Sequence, residues 1–123
     1  MARDSDSPQK RSKRSASTPR KVAMDLLARR EHSRLELLHK LARRFGDREP
    51  GEELEVAIDT LATEGLQSDE RFALSLTRER LHRGHGPRRI RVDLQQRGVD
   101  DALIDTALAE VPAEEGTTWA GQA

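Results

Sequence analysis

The sequence predicts an all-α chain built from tandem three-helix units, and three observations lead there. Apolar residues recur at i, i+3 and i+4 in successive segments between Thr18 and Glu110, the spacing of one helix face. No stretch alternates apolar and polar residues with period two, so no sheet is expected. The chain also repeats itself. Aligning His32-Ser33 with His85-Gly86 places Leu37 on Ile90, Leu41 on Leu94 and Arg44 on Arg97, and a shorter loop in the second unit then places Ile58-Asp59-Thr60 on Ile104-Asp105-Thr106. An all-helical repeat of roughly 45 to 50 residues predicts stacked modules in an elongated body.

Each element has its own start and stop. Residues 1–17 are mostly Ser, Lys and Arg with little that is apolar; they cannot bury enough surface to offset chain entropy and read as a disordered basic tail. The first unit is expected over 18–66. Thr18 can cap a helix with Pro19 at its first position, and Val22, Ala23, Leu26 and Leu27 form its apolar stripe. Ser33-Arg34-Leu35-Glu36 is a capping box that opens a second helix. Its inward face is Leu37, Leu38, Leu41 and Phe45, with Gly46 expected to supply a left-handed terminating residue. Pro50 opens a third helix with Leu54, Ala57, Ile58 and Leu61 inward, closed by Gly65.

The second unit is expected over 67–110. Ser68 caps a helix that buries Phe72, Ala73, Leu76 and Leu81 and stops at Gly84. Gly86-Pro87 restarts the chain into a helix with Ile90 and Leu94 inward, ended by Gly98; Asp100 is the expected cap of the last helix, which buries Leu103, Ile104, Ala107 and Leu108. Residues 111–123, VPAEEGTTWAGQA, read as an irregular tail because Pro112 and Gly116 oppose a helix; Trp119 is the one residue there suited to docking on something.

Composition narrows the function. A 123-residue chain with 34% apolar and 36% charged residues supports a modest core, not a deep enclosed active site. The absence of cysteine removes disulfides, thiolate nucleophiles and Cys-ligated zinc. With no apolar run near the roughly 20 residues that cross a bilayer and no apolar segment of the secretory type, a cytoplasmic protein with no membrane association is expected. Net charge is zero, but the charges are sorted: residues 71–97 hold eight Lys/Arg against two Asp/Glu, while residues 45–70 hold one against nine. Such blocks give a folded body a positive surface able to meet phosphates and a negative surface able to meet a basic protein, or else solvated helix faces with internal ion pairs.

No nucleophile, acid/base pair or ligand cluster has the spacing a catalytic or metal site requires, so neither an enzyme nor a cofactor is expected. The histidines are the only metal candidates. His82 and His85 flank a glycine turn and His32 and His39 lie seven apart, without carboxylates at ligand spacing; His32 and His85 instead share one inter-helix corner of the repeat, which points to a structural role. Gly84-His85-Gly86 lacks the Gly-Lys-Ser/Thr ending of a phosphate-binding loop and reads as a C-cap running into an N-cap. Arginines carry more information. Arg78, Arg88, Arg89 and Arg91 in the second unit, with Arg34, Arg43 and Arg44 in the first, are the candidate contacts for DNA phosphates or acidic protein surface. Arg88 and Arg89 occupy the first turn of a helix, where the backbone dipole favours acids, so an anionic partner would account for them. Tyrosine is absent and both phenylalanines fall at core positions, leaving no stacking platform for reading bases.

Three motifs then stand in order: Ser68-Asp69-Glu70-Arg71-Phe72-Ala73, the turn Gly84-His85-Gly86-Pro87 followed by Arg88-Arg89-Ile90, and Leu94-Gln95-Gln96-Arg97-Gly98-Val99. Their sequence and spacing resemble a repeat of the RecX family, and the resemblance extends over residues 19–110 or so. It implies a small non-enzymatic bacterial regulator, expected as a monomer, that binds the RecA nucleoprotein filament. Such a regulator modulates RecA's recombinase, ATPase and co-protease activities in DNA repair and the SOS response. Family members usually carry three repeats, against two here. Two other readings stay open: a helix-turn-helix-type DNA-binding protein with the helix after Pro87 in the major groove, and a truncated, inactive family member.

Overall fold

A computed structural model describes residues 17–48 and 50–116. Residues 1–16 of the tail expected at 1–17, and the segment 117–123 with Trp119, lie outside the described residues. Six helices follow one another: α1 Pro19–Arg29, α2 Arg34–Phe45, α3 Gly51–Thr63, α4 Asp69–His82, α5 Pro87–Gln96 and α6 Asp101–Glu114. Among the described residues there is no strand.

Local chemistry sets most of the helix ends. The Thr18 hydroxyl accepts from the Lys21 amide ahead of Pro19, and the Ser68 hydroxyl accepts from the Arg71 amide. Ser33 and Glu36 form a complete capping box, with the Glu36 amide donating to Ser33 Oγ and the Ser33 amide to Glu36 Oε1, both at 3.1 Å. Two expectations fail here. Gly46 is right-handed (φ −58°, ψ −25°), and a Cβ placed on it would run into the Ala42 carbonyl oxygen; glycine is used there for close approach, not for a left-handed turn. Asp100 occupies the N-cap position of α6 with extended backbone but makes no side-chain capping bond.

The larger departure is at the C-terminal side. Helix α6 does not end at Glu110 but continues through Pro112 to Glu114, with Val111 and Pro112 buried. A proline inside a helix lacks the N–H for one backbone bond. Pro112 sits in the last turn, so little helix remains beyond the defect, and the turn is held by Glu114 and Glu115 reaching Arg78 and His82 on α4.

Burial divides into two cores. Ala23, Leu37, Leu41, Phe45, Leu54, Ile58 and Leu61 fill one, among α1, α2 and α3. Phe72, Ala73, Leu76, Ile90, Leu94, Val99, Ile104, Ala107 and Leu108 fill the other, among α4, α5 and α6. Extensive helix packing stays within each trio, with α4 against α6 the most extensive pair. Most of the expected inward residues fill these cores; Val22, Leu26, Leu27, Leu38 and Leu103 pack against them half-buried, and Ala57 and Leu81 are half-buried outside them. No helix among the described residues is long and apolar enough to cross a membrane.

Candidate nucleic-acid and partner interface

The seven candidate arginines separate into three engaged within the fold, three exposed without a carboxylate among the described residues, and Arg44, which stacks on a ring. Arg34, Arg78 and Arg91 are engaged within the fold. Arg34 Nε donates to Asp59 Oδ1 at 2.9 Å with Glu55 at 3.5 Å, and these bonds, led by the Asp59 one, raise its pKa further. Arg91 reaches Asp105 at 2.6 Å, and Arg78 reaches Glu114 at 2.9 Å. Asp59 and Asp105 are equivalent positions of the repeat, so each second helix clamps its own third helix through an arginine. These pairs are exposed, and each contributes little to stability.

Arg88, Arg89 and Arg43 are exposed and hold no carboxylate among the described residues. Arg44 lies over the Phe45 ring at 5.7 Å, with Arg48 at 5.6 Å from the same ring, a cation–π stack at the end of α2. Gly86 opens α5 without any side-chain cap, so the first N–H groups of that helix point outward beside Arg88 and Arg89. His85, just before them, has its pKa lowered by desolvation and by the positive charges of Arg89, Arg80 and Arg83. An uncapped helix start ringed by arginines that lack internal anions suits a phosphate or a carboxylate.

The acidic counterpart is also on the surface. Glu52, Glu53 and Glu55 on α3 and Asp100 and Asp101 at the start of α6 are exposed. The two faces are carried on a common frame, and the frame is set at the junction between the units. There the start of α2 is gripped by the second unit: Ser33 Oγ donates to the Arg97 carbonyl at 2.8 Å, the Arg34 amide donates to Asp69 Oδ1 at 2.8 Å, and Gln67 Nε2 donates to the His32 carbonyl at 3.2 Å.

Arg97 is the centre of the junction. It bonds Glu36 Oε2 at 2.5 Å across the units and Asp93 Oδ1 at 2.7 Å within its own helix; Asp93 passes the chain on to Arg80 at 2.9 Å. Burial alone would raise the pKa of both Glu36 and Asp93, but bonds from Arg30, Ser33 and Arg97 to the first, and from Arg97 and Arg80 to the second, hold both carboxylates below their ordinary values. Sequence reading had Glu36 as a capping residue and Arg97 as one arginine among eight. Their pairing spans 61 residues, and no local pattern announces it.

The histidines serve the frame unequally. His32 is buried, with Nδ1 at 3.1 Å from the Arg30 carbonyl and Nε2 at 2.9 Å from Lys40 Nζ. The Lys40 ammonium can only donate, so the ring is neutral with its proton on Nδ1, and burial lowers its pKa. His82 meets Glu115 at 2.7 Å. No group of three His, Cys, Asp or Glu side chains among the described residues is placed to hold a metal ion.

Comparison with known proteins fits this architecture. A family model described as RecX, second three-helix domain, matches residues 68–108, which is the α4–α6 unit. The chain is 52% identical over 91 residues to the regulatory protein RecX of Pseudomonas entomophila L48, covering 74% of this chain and 57% of that protein. It is 48% identical over 103 residues to the regulatory protein RecX of Pseudomonas fluorescens SBW25, covering 84% and 62%. A third relative, the regulatory protein RecX of Ectopseudomonas mendocina ymp, is 46% identical over 100 residues, covering 81% and 62%. The chain spans about three fifths of the length of these relatives.

Proposed function

The chain belongs to the RecX family, and from that membership we propose that it is a non-enzymatic cytoplasmic regulator that binds the RecA nucleoprotein filament as a monomer and restrains RecA's recombinase, ATPase and co-protease activities. The body lodges along the filament, with its basic faces toward DNA phosphates or acidic protein patches and its acidic α3 and α6 starts toward basic protein surface. Arg88 and Arg89 are the leading contacts. Arg43 and Arg44 assist from the first unit, while Arg34, Arg78 and Arg91 contribute charge but are already committed to internal carboxylates.

The observation that carries this reading is the start of α5: an uncapped helix N-terminus with two exposed arginines that have no internal partner among the described residues. A helix dipole disfavours cations at that end by several tenths of a kcal/mol each, so the arrangement costs stability that an external anion would recover. The test is single-strand-dependent ATP hydrolysis by RecA, with and without the protein. Inhibition at substoichiometric ratios to RecA is expected, and the double charge reversal Arg88→Glu and Arg89→Glu should weaken it at least tenfold while leaving helix content unchanged. Undiminished inhibition by that variant would refute the role given to α5.

A helix-turn-helix reading, with α5 in the major groove, competes with this one. The side chains α5 offers to bases are Val92, Gln95 and Gln96 beyond the two arginines, on a helix of 10 residues. Tight, sequence-dependent binding to bare duplex, without inhibition of RecA, would favour it.

A further inference from the structure

The two units use the same corner differently. In the second unit the charges that α4 and the end of α5 bring to the His85 corner are paired internally, leaving Arg88 and Arg89: Asp93 takes Arg80 and Arg97, Arg83 takes Glu79 at 3.0 Å, and His82 takes Glu115. The repeat alignment sets Arg29 on His82, Arg30 on Arg83 and, in place of the carboxylate Asp93, the cation Lys40. In the first unit the corner therefore carries more positive charge than its neighbours balance. Arg29 ends α1, Arg30 follows it, and Lys40 and Arg43 lie one turn apart on α2. Among the described residues Glu36 is the one carboxylate that reaches in; it bonds Arg30 at 3.2 Å and is shared with Arg97. Arg29 and Arg43 are exposed and hold no carboxylate among the described residues.

Lys40 is also held, not merely present. Its ammonium donates to the Nε2 lone pair of the buried neutral His32, whose other nitrogen is tied to the Arg30 carbonyl. A long flexible side chain is thereby fixed with its remaining N–H groups available, by a partner that takes none of its charge.

We propose that Arg29, Arg30, Lys40 and Arg43 form a second phosphate-binding site, at the α1–α2 corner, that grips the backbone of a nucleic-acid strand, with His32 as the residue that positions Lys40. The inference deepens the nucleic-acid-facing part of the proposed function and rests on that reading for its ligand. A strand suits the cluster because it brings a row of fixed single charges past several cations at once, and Arg29 and Arg43 bring guanidinium forks that hold no carboxylate among the described residues. Phosphate at this point would relieve a repulsion that is built into the fold: burial and the neighbouring Arg30, Arg43 and Arg29 together lower the Lys40 pKa against the opposing pull of Glu36.

The test is binding of the full chain to a fluorescent oligothymidine across a salt series. Lys40→Gln and Arg43→Gln should each reduce the slope of log K against log salt by about 0.7, the amount lost with one single-strand phosphate contact. Arg20→Gln, whose guanidinium is paired with Glu64 at 2.7 Å, should leave the slope unchanged. His32→Gln can still accept from Lys40 and should keep the slope, whereas His32→Leu should lower it as Lys40→Gln does; should either histidine variant fail to fold, the Lys40 and Arg43 variants decide alone. Unchanged slopes for Lys40→Gln and Arg43→Gln overturn the site. So does a loss of DNA-free RecA binding in these variants with oligonucleotide binding intact, which would assign the cluster to an acidic protein surface. Displacement of the oligonucleotide by inorganic pyrophosphate beyond its ionic-strength effect would assign it to free polyphosphate and overturn the strand. Arg88→Gln and Arg89→Gln, run in parallel, separate this site from α5: slopes reduced only there leave the α5 reading standing and this one refuted.

Discussion

Replacing Gly98 by alanine probes the junction between the units more sharply than any charge change. Gly98 follows α5 with φ +81°, a conformation that costs an L-residue about 1–2 kcal/mol. Its missing side chain also makes room for the other unit: a Cβ there would lie 2.8 Å from Leu35 Cβ and 3.0 Å from Leu35 Cδ2. Leu35 is in the first turn of α2, so relief of the clash must move a helix start that is also held by Ser33, Arg34 and Glu36. Overpacking of this kind costs about 1–3 kcal/mol. Gly84 provides the internal reference, because it has φ +86° and open space where its Cβ would go. Gly84→Ala should therefore cost about 1–2 kcal/mol and Gly98→Ala about 2–5, which for a body of this size lowers the melting temperature by roughly 10–20 °C in the second case. Equilibrium urea unfolding followed by circular dichroism measures both. Adding Leu35→Ala to Gly98→Ala should recover part of the difference, a coupling that the two separate substitutions do not show. Equal costs for Gly84→Ala and Gly98→Ala, within about half a kcal/mol, would mean that the units do not meet as described.

Two more outcomes follow from the same junction. Glu36→Gln keeps the shape of the capping residue but removes the charge shared by Arg30 and Arg97; it should cost about 1–2 kcal/mol by urea unfolding, with the second unit's own core intact. Equal stability at low and high salt for the wild type and the variant would show that this charge carries no weight. Acid should weaken the fold in two stages. The folded pKa of His32 lies below its ordinary 6.5, so between those values the unfolded chain binds the extra proton and stability drops as pH falls below about 6.5. Glu36 and Asp93, also lowered, contribute stability that is complete above their ordinary values and is lost as pH falls through their folded ones. A urea midpoint that stays constant from pH 7.5 to 5 would contradict the buried neutral imidazole.

Much of this could be read from residue order. Helix starts at Thr18, Ser33 and Ser68 were legible because capping is a contact over three residues, and the cores because 3.6-residue periodicity places Leu37, Leu41, Ile90 and Leu94 on one face each. The errors have physical causes. Pro112 signals a helix stop by its chemistry, yet burial of Val111 and the ties from Glu114 and Glu115 to α4 outweigh the single lost backbone bond, and none of those contacts is local. Gly46 has the residue type of a left-handed cap but serves a close backbone approach, a distinction invisible without the neighbouring carbonyl.

Of the candidate site, sequence supplied the inventory and structure supplied the assignment. Charge sorting and the repeat register marked seven arginines as one class, because side-chain type and helix phase are properties of the chain alone. Which arginines remain available depends on where the acidic helices pack: Asp59, Asp105 and Glu114 take Arg34, Arg91 and Arg78, while Arg88, Arg89 and Arg43 face solvent. By itself the sequence determined the helices, their faces and the two-unit repeat, since these follow from interactions a few residues in range. The tertiary structure alone decided the Glu36–Arg97 clamp, the fit of Gly98 on Leu35 and the holding of Lys40 by His32. Each joins groups whose separation along the chain or placement in space no periodicity encodes, and a charge's availability is set by its neighbours in the fold.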